Sequence, residues 1–561
     1  MARIPCGCWD EPDRRERAAE IYGALMAELL NPFAAARPDA PALIDETGTT
    51  TWSSFNERVN RLVHALRDLG VVRGTTIAAM AANTREYFEL LAAAAHGGFA
   101  VVPVNWHWVA DELAYVLDDA EARVFIADSR FAETAIAASA GRSGLVARVA
   151  IGGGAGDIDG IGGIDGIGGI DGIDGFTPYE ALVASGDTSE PDDQTVGGPM
   201  FYTSGTTGRP KGVKGSLLGD GKVPASVFAM VAQGFAASAG LPAEPVTLLD
   251  GPLYHSAQWA FSMLPLLGGS SVVMRHKFDP ALTLAAIDEH HVTNVHLVPT
   301  QFIRLLRVPA EVRAAFRGDS LQIVWHGAAP CPPEVKRSMI EWWGPKITEY
   351  YGGTEGGIVT MATSAEWLAK PGTLGKAQPT MEVRIITDDG LAAAPGESGT
   401  IYMKNLMGSD FSYHNDPEKT AKAHLEPGVL TLGDIGYLDA DGDLFLSDRK
   451  IDMIISGGVN IYPAEIEGVL VTHPAVRDAA VFGIPNDEFG EEVKAAVELN
   501  DGFAASDALL AEILVLCRTK LAGYKVPRSI DVEVALPRQP TGKLYKRLLR
   551  DKYWEAVGRA L

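Results

Sequence analysis

Between residues 54 and 127 short apolar runs take turns with stretches of helical period, and this alternation excludes most folds for the chain. Phe55, Val59, Leu62, Val63 and Leu66 recur at helical spacing, Ser54 and Glu57 stand where a capping box would start the helix, and Gly70 would stop it. The run 77–81 follows, then a helical 85–95, the run 99–104, a helical 111–117 and the run 124–127. Strands separated by helices lie parallel, in a sheet whose faces the helices cover. The pattern returns further on, where a helical 281–290 precedes the run 294–298 and the run 322–325 precedes a helical 334–342. The large amino-terminal portion is therefore expected to be α/β.

Near residue 434 the character changes. Tyr437 and Leu438 are separated from Leu444 and Phe445 by a turn containing Asp441-Gly442, which predicts a hairpin. Beyond residue 451, helices near 464–471 and 507–521 mix with a strand-like 479–483, as expected of a small, separate α+β domain. Asp439, Asp441 and Asp443 resemble a calcium loop, but the glycine is misplaced and the twelfth position is Lys450, so the segment reads as a turn. Residues 158–175 are six Ile-x-Gly triplets without proline, which excludes collagen. They are too short, and of the wrong period, for a calcium-binding β-roll, and are expected to form a flexible surface insertion.

Charge narrows the function. The 561 residues carry a net charge of −24, a field that repels nucleic acid and anionic membrane surfaces. A nucleotide site on such a chain must supply its own cations or a metal ion. Residues 1–30 contain no continuous apolar stretch for a signal-peptide core, and no run reaches the length of a membrane span, the longest, 90–104, being broken by His96, Gly97 and Gly98. A cytoplasmic protein without an integral membrane segment is the expectation. Four cysteines, Cys6, Cys8, Cys331 and Cys517, do not make a disulfide framework, and Cys6-x-Cys8 has no second pair to complete a metal site. A homodimer stays open.

The sharpest local signal is the string from Tyr202 to Gly212, in which Thr203, Ser204, Gly205, Thr206, Thr207 and Gly208 lead through Arg209 and Pro210 to Lys211. Glycines permit close backbone approach, hydroxyls donate to phosphate oxygens, and a lysine adds a point charge. It is not the Walker loop, because Pro210 precedes the lysine.

This string resembles the phosphate loop of the adenylate-forming superfamily, which contains acyl-CoA synthetases, luciferases and peptide-synthetase adenylation domains. Further matches follow in that family's order: Tyr351-Gly352-Gly353-Thr354-Glu355, Gly433-Asp434, Asp448-Arg449, Ser456-Gly457-Gly458 and Pro540-Thr541-Gly542-Lys543. The likeness extends from residue 202 to residue 543. It implies a large multi-sheet α/β domain over 1–447, a hinge at 448–452 and a small mobile α+β domain over 453–561.

By the same resemblance Glu355 holds Mg²⁺, Thr354 bonds the α-phosphate, and Asp434 with Arg449 takes the ribose of ATP. Gly327, Ala328 and Ala329 border the adenine, with Tyr351 and Gly352 beside them. Lys543 is implied as the main catalytic charge, bridging carboxylate and α-phosphate, and His255 as a gate beside the acid pocket. Gly457 and Gly458 are implied to line the coenzyme A tunnel. Isoleucine stands where the family's hinge carries a charge, so Lys450, Ile451 or Asp452 could pivot. The implied reaction joins a carboxylic acid to AMP and then to coenzyme A. Trp259, Phe261, Met263 and the residues around His326 and Cys331 are candidates to line a pocket for a bulky apolar acid. A ligase that loads a carrier protein, a luciferase-like oxygenase and a non-catalytic nucleotide-binding homologue are the competing readings. The cluster His290, His291 and His296 has no counterpart in the family's motifs and reads as structural.

Overall fold

The computed structural model describes residues 29–152, 173–204, 210–215, 223–449, 452–456, 459–486, 489–538 and 544–555. Backbone contacts divide the chain into two compact units, the first being residues up to Lys277 with Val292–Asn294 and Phe411–Pro417, the second the remainder.

The first unit contains the parallel sheet that the alternation predicts. Its six strands run in the order Thr177–Pro178, Ala147–Ile151, Val124–Asp128, Thr76–Met80, Ala100–Pro103 and Gly198–Pro199, each pair parallel. Helices Arg85–Gly97 and Ala110–Asp119 connect successive strands, and both fall within two residues of their predicted bounds. A second group pairs Val246–Leu249, Ser271–Met274 and Pro41–Asp45 in parallel, with Gly48–Thr51 antiparallel at the end. Phe201–Ser204 and Pro210–Gly215 form an antiparallel hairpin, to which Phe411–Tyr413 adds.

The first long helix starts earlier than its capping box predicts. It spans Trp52–Asp68, and Thr51, not Ser54, is its cap, the Thr51 hydroxyl accepting from the Ser54 amide at 3.3 Å. Trp52 is the reason, since its fully buried indole makes the first turn part of the core together with Phe55, Val59, Leu62, Val63 and Leu66. Glu57 instead pairs with Arg61 one turn on, at 3.0 Å. The insertion 158–175 lies mostly outside the described residues. In its last triplet Asp174 and Gly175 are exposed, while Ile173 departs from a surface role, being buried with Phe125 and Leu117.

His96, near the end of helix Arg85–Gly97, is fully buried, and among the described residues neither ring nitrogen has a hydrogen-bond partner. Burial pushes its pKa down to about 4 from 6.5. Between those values the unfolded chain binds a proton that the folded one refuses, so stability falls as pH drops from about 6.5 towards 4. His96→Leu is expected to leave the neutral-pH melting temperature equal or higher, because a buried unpaired polar group is removed. It should also cancel on the order of 1–2 kcal/mol of the stability lost between pH 7 and 5. Thermal melts of both proteins across that range check this, and parallel pH curves would refute it.

In the second unit, strands Ile323–His326 and Ile347–Gly353 pair in parallel, and Gly357–Ala362 turns back antiparallel to the latter. A separate antiparallel sheet has the order Met381–Ile386, Gly399–Asn405, Val429–Leu438 and His424–Glu426, with Leu444–Arg449 also on Val429–Leu438. Its predicted hairpin is present: Tyr437 faces Phe445 and Leu438 faces Leu444, the two rings stacking at 5.0 Å. At the turn, Lys370 Nζ sits among Asp439, Asp441 and Asp443 at 2.6, 2.7 and 2.6 Å, so an ammonium occupies the place where a calcium loop would hold its ion.

The carboxy-terminal stretch is α+β, as expected. Val476–Asn486 and Gly490–Leu499 form a long antiparallel pair, Ser529–Glu533 joins in parallel, and helices Pro463–Leu470 and Asp507–Lys520 belong to the same stretch. Ile454, Ile466, Val481, Val497 and Ile513 share its core. No helix of the described residues is long and apolar enough to cross a membrane.

Candidate active site

Within the first unit, the hairpin Phe201–Ser204/Pro210–Gly215 carries the polyphosphate string. Lys211 lies opposite Thr203, and Ser204 opposite Pro210. Gly205, Thr206, Thr207 and Gly208 lie outside the described residues. Lys211 is mostly buried and donates to Asp416 at 3.0 Å, a partner 205 positions away that the sequence alone does not reveal. Tyr202 is anchored beside it by a hydrogen bond from its hydroxyl to Asp119 at 2.6 Å.

His255 stands at the N-cap position of helix Ser256–Leu267 without a side-chain capping bond, and its Nε2 is shut from solvent and makes no hydrogen bond among the described residues. Burial, helped by the nearby His107, pushes its pKa down to about 3, so the imidazole is neutral at physiological pH. Around it, Trp106 stacks on His107 at 3.5 Å, and His107 Nδ1 lies 3.2 Å from the Tyr254 hydroxyl. Sequence reading missed Trp106 and His107, which belong to no matching motif. On the same helix Trp259 stacks on Phe228 at 6.2 Å, while Phe261 and Met263 are buried in the core.

The second unit brings Tyr351, Gly352, Thr354, Glu355 and Asp434 together. Gly352 pairs with Ile358 and Gly353 with Gly357, leaving Thr354, Glu355 and Gly356 as the tip of a tight hairpin. A side chain at Gly352 would place its Cβ 1.9 Å from the Gly357 carbonyl oxygen, so only glycine permits this turn. Asp434 is 4% exposed, and Tyr351 donates its hydroxyl to Asp434 Oδ2 at 2.8 Å. One carboxylate oxygen is thereby fixed by a tyrosine on the strand that ends in Thr354 and Glu355. Arg449 stands opposite Asp434 in the strand register.

Gly327 leads out of strand Ile323–His326 with no room for a Cβ, which would lie 2.7 Å from the Tyr350 ring. Ala328 adopts φ +66°, and Ala329 follows it. His296 Nε2 lies 3.0 Å from the buried Tyr350 hydroxyl, in keeping with a structural histidine. Lys336 and Glu349, which no motif singles out, are buried nearby and paired at 2.6 Å. Lys450, Ile451, Gly457, Gly458 and Lys543 lie outside the described residues. Ser456 pairs with Val459 on either side of the two glycines, and Arg538 bridges to Leu544 on either side of the Thr-Gly-Lys segment.

Glu355 offers a partly exposed oxygen donor at a hairpin tip, which fits a hard cation that takes one or two carboxylates along with phosphate oxygens. Asp434 is a buried carboxylate with one oxygen oriented by Tyr351, a type of group that can accept hydrogen bonds from hydroxyls.

Residues 30–407 match the family described as AMP-binding enzyme, and residues 465–543 match the AMP-binding enzyme C-terminal domain. The chain is 33% identical over 524 residues to a feruloyl-CoA synthase of Amycolatopsis sp, covering 92% of this chain and 96% of that one. It is 31% identical over 515 residues to a long-chain-fatty-acid–CoA ligase of Mycobacterium tuberculosis, covering 90% and 94%. Among solved structures, the o-succinylbenzoate CoA synthetase of Bacillus subtilis in complex with its acyl-adenylate intermediate superposes with a TM-score of 0.75 at 26% identity, over 93% of this chain and 98% of that one.

Proposed function

Since the chain belongs to the AMP-binding enzyme family of adenylate-forming proteins, we propose that it is an ATP-dependent acid–thiol ligase that converts a carboxylic acid to its acyl-adenylate and then to its coenzyme A thioester. The observation that carries this reading is the tie between Tyr351 and Asp434, which links a candidate ribose-binding carboxylate to the strand whose tip bears Thr354 and Glu355.

In the first half-reaction a carboxylate oxygen attacks the α-phosphorus of ATP, the bond to the bridging oxygen breaks, and pyrophosphate leaves. In the second, the thiol sulfur attacks the acyl carbon, the bond to the carboxylate-derived oxygen breaks, and AMP leaves while the thiol proton passes to solvent. Both anions repel each other, so positive charge must be supplied at the reacting centre. Thr203, Ser204 and residues 205–208 would hold the phosphate chain, with Lys211 exchanging its bond to Asp416 for a phosphate oxygen. Glu355 would hold Mg²⁺, which when bound neutralises phosphate charge. Asp434 and Arg449 would bind the ribose, and residues 327–329 would border the base.

His255 supports a wall rather than a charge at the acid. A neutral imidazole brings no positive charge to a carboxylate, so the cation facing the acid has to come from elsewhere, and Lys543 is the residue proposed for it. Phe261, Met263 and His326 are core residues and cannot line the acid pocket, so an apolar or bulky acid is proposed with the feruloyl- and fatty-acyl-CoA-forming relatives as chemical guides.

Pyrophosphate release measured across fatty, aryl and steroid-derived acids, followed by a thioester assay with coenzyme A and with a phosphopantetheinylated carrier protein, tests the proposal. Saturable, acid-dependent release and an acyl-CoA product are expected. Transfer to the carrier alone would replace the acceptor, and ATP binding without release by any acid would overturn the catalytic reading.

A further inference from the structure

Three polar side chains are buried together beneath residues 327–332. His326 ends strand Ile323–His326, Glu349 stands opposite it in the parallel register, and Lys336 lies in helix Pro333–Trp343. A single carboxylate oxygen, Glu349 Oε2, receives Lys336 Nζ at 2.6 Å and lies 3.7 Å from His326 Nε2. Each of the three residues is less than a tenth exposed, and among the described residues His326 makes no hydrogen bond through either ring nitrogen. Lys336 Nζ also lies 4.9 Å from the centre of the Trp367 ring. Burial pulls the ammonium down and pushes the carboxyl up, while the charge of each partner works the other way.

A buried ion pair is a poor device for stability, because apolar side chains of similar volume usually do as well or better. Its location points to another use. The segment between His326 and Pro333 contains Ala328 at φ +66°, a left-handed conformation that a residue with a Cβ holds only when its surroundings impose it. Gly327 is pressed against Tyr350, whose hydroxyl is itself bonded to His296. Glu349 thus touches residues on both sides of the strained turn, His326 at its entrance and Lys336 just past its exit.

We propose that the Lys336–Glu349 pair is a positioning device for the nucleotide: it holds residues 327–329 in their strained turn, so that the adenine of ATP meets a preformed surface. The inference rests on the ATP-dependent reading above. Lys336 and Glu349 are positioning residues that act through the turn, and a turn held less firmly lowers the fraction of protein ready to take the base.

The test replaces both partners, Lys336→Met with Glu349→Leu, which keeps volume and leaves no unpaired charge. The expected result is about a tenfold rise in the KM for ATP and in the calorimetric Kd for ATP, less than about a twofold change in the KM for the acid, and a melting temperature within about 4 °C of the parent. Adding Ala328→Gly, which removes the cost of the left-handed backbone, should bring the ATP constants back to within about threefold. A purely structural pair would shift the ATP and acid constants together or not at all, with no recovery on adding Ala328→Gly, and either result overturns the inference. If the double variant does not fold, Lys336→Arg retains the charge with a changed shape. It should raise the Kd for ATP by about threefold with the acid constant unmoved, and an unchanged Kd would overturn the inference. A parent that binds ATP but releases no pyrophosphate with any acid defeats the ligase reading alone, since the calorimetric constants still decide the role of the pair.

Discussion

Lys543→Ala is expected to slow acid-dependent pyrophosphate release by about a thousandfold or more while ATP affinity stays within about threefold of the parent. The chain carries a net charge of −24, and two anions have to be brought to bonding distance within that field. Of the positive groups proposed for the reaction, Lys211 is already engaged by Asp416 and suits the phosphate chain, and His255 is neutral. Removing the remaining lysine takes away charge that matters most as the pentacoordinate transition state forms, so the loss falls on kcat and not on ATP binding. Synthetic acyl-adenylate offered to the variant separates the half-reactions. Thioester formation from it should persist within about tenfold of the parent if, as proposed, the lysine serves only the first step. Equal loss of both half-reactions would mean that the substitution disturbs the protein generally, and undiminished pyrophosphate release would remove Lys543 from the mechanism.

A second large effect is expected at Glu355. Glu355→Ala should lower kcat by about a hundredfold and move the Mg²⁺ concentration needed for half-maximal rate upward by about tenfold. The position is demanding: Gly352 and Gly357 close a turn that no side chain at 352 could enter, and Thr354 and Glu355 are its tip. Loss of a carboxylate oxygen there should leave the turn intact and the metal poorly held. Glu355→Asp should fall between the two, since it keeps the charge but shortens its reach. Initial rates at fixed ATP and varied Mg²⁺ decide the matter. An unchanged midpoint in Glu355→Ala would place the metal on other ligands.

The two regimes of legibility in this chain have a physical basis. Local order is written in short spacings: the helices Arg85–Gly97 and Ala110–Asp119 and the hairpin that pairs Tyr437 with Phe445 were all expected within a residue or two. The start of the first long helix was misplaced because Trp52 is drawn in by tertiary burial, which no capping pattern records. In the site, Thr354, Glu355 and Asp434 stood out only because the motifs that contain them resemble those of the adenylate-forming superfamily. The pairings between side chains did not. Asp416 on Lys211 and Tyr351 on Asp434 are separated in sequence by 205 and 83 positions, and such contacts exist only once the sheets have formed. Lys336 and Glu349 were missed for a related reason. A lysine and a glutamate thirteen positions apart look like ordinary surface residues until both are seen buried against the same strand.

The carboxy-terminal stretch adds a conformational question. Family members that run two half-reactions in one cleft rotate a small domain between them, and the segment 448–452 is proposed as the pivot here. If that holds, replacing Lys450 or Ile451 by proline should impair thioester formation more than pyrophosphate release.

The central claim is that a carboxylate oxygen of the acid attacks the α-phosphorus of ATP, and oxygen labelling tests it most directly. The acid that gives the highest pyrophosphate release is prepared with ¹⁸O in its carboxylate and turned over with ATP and coenzyme A, and the nucleotide product is weighed by mass spectrometry. The expected result is AMP carrying one atom of the label. Label found in inorganic phosphate with ADP as the nucleotide product, or AMP formed without label, would contradict acyl-adenylate formation.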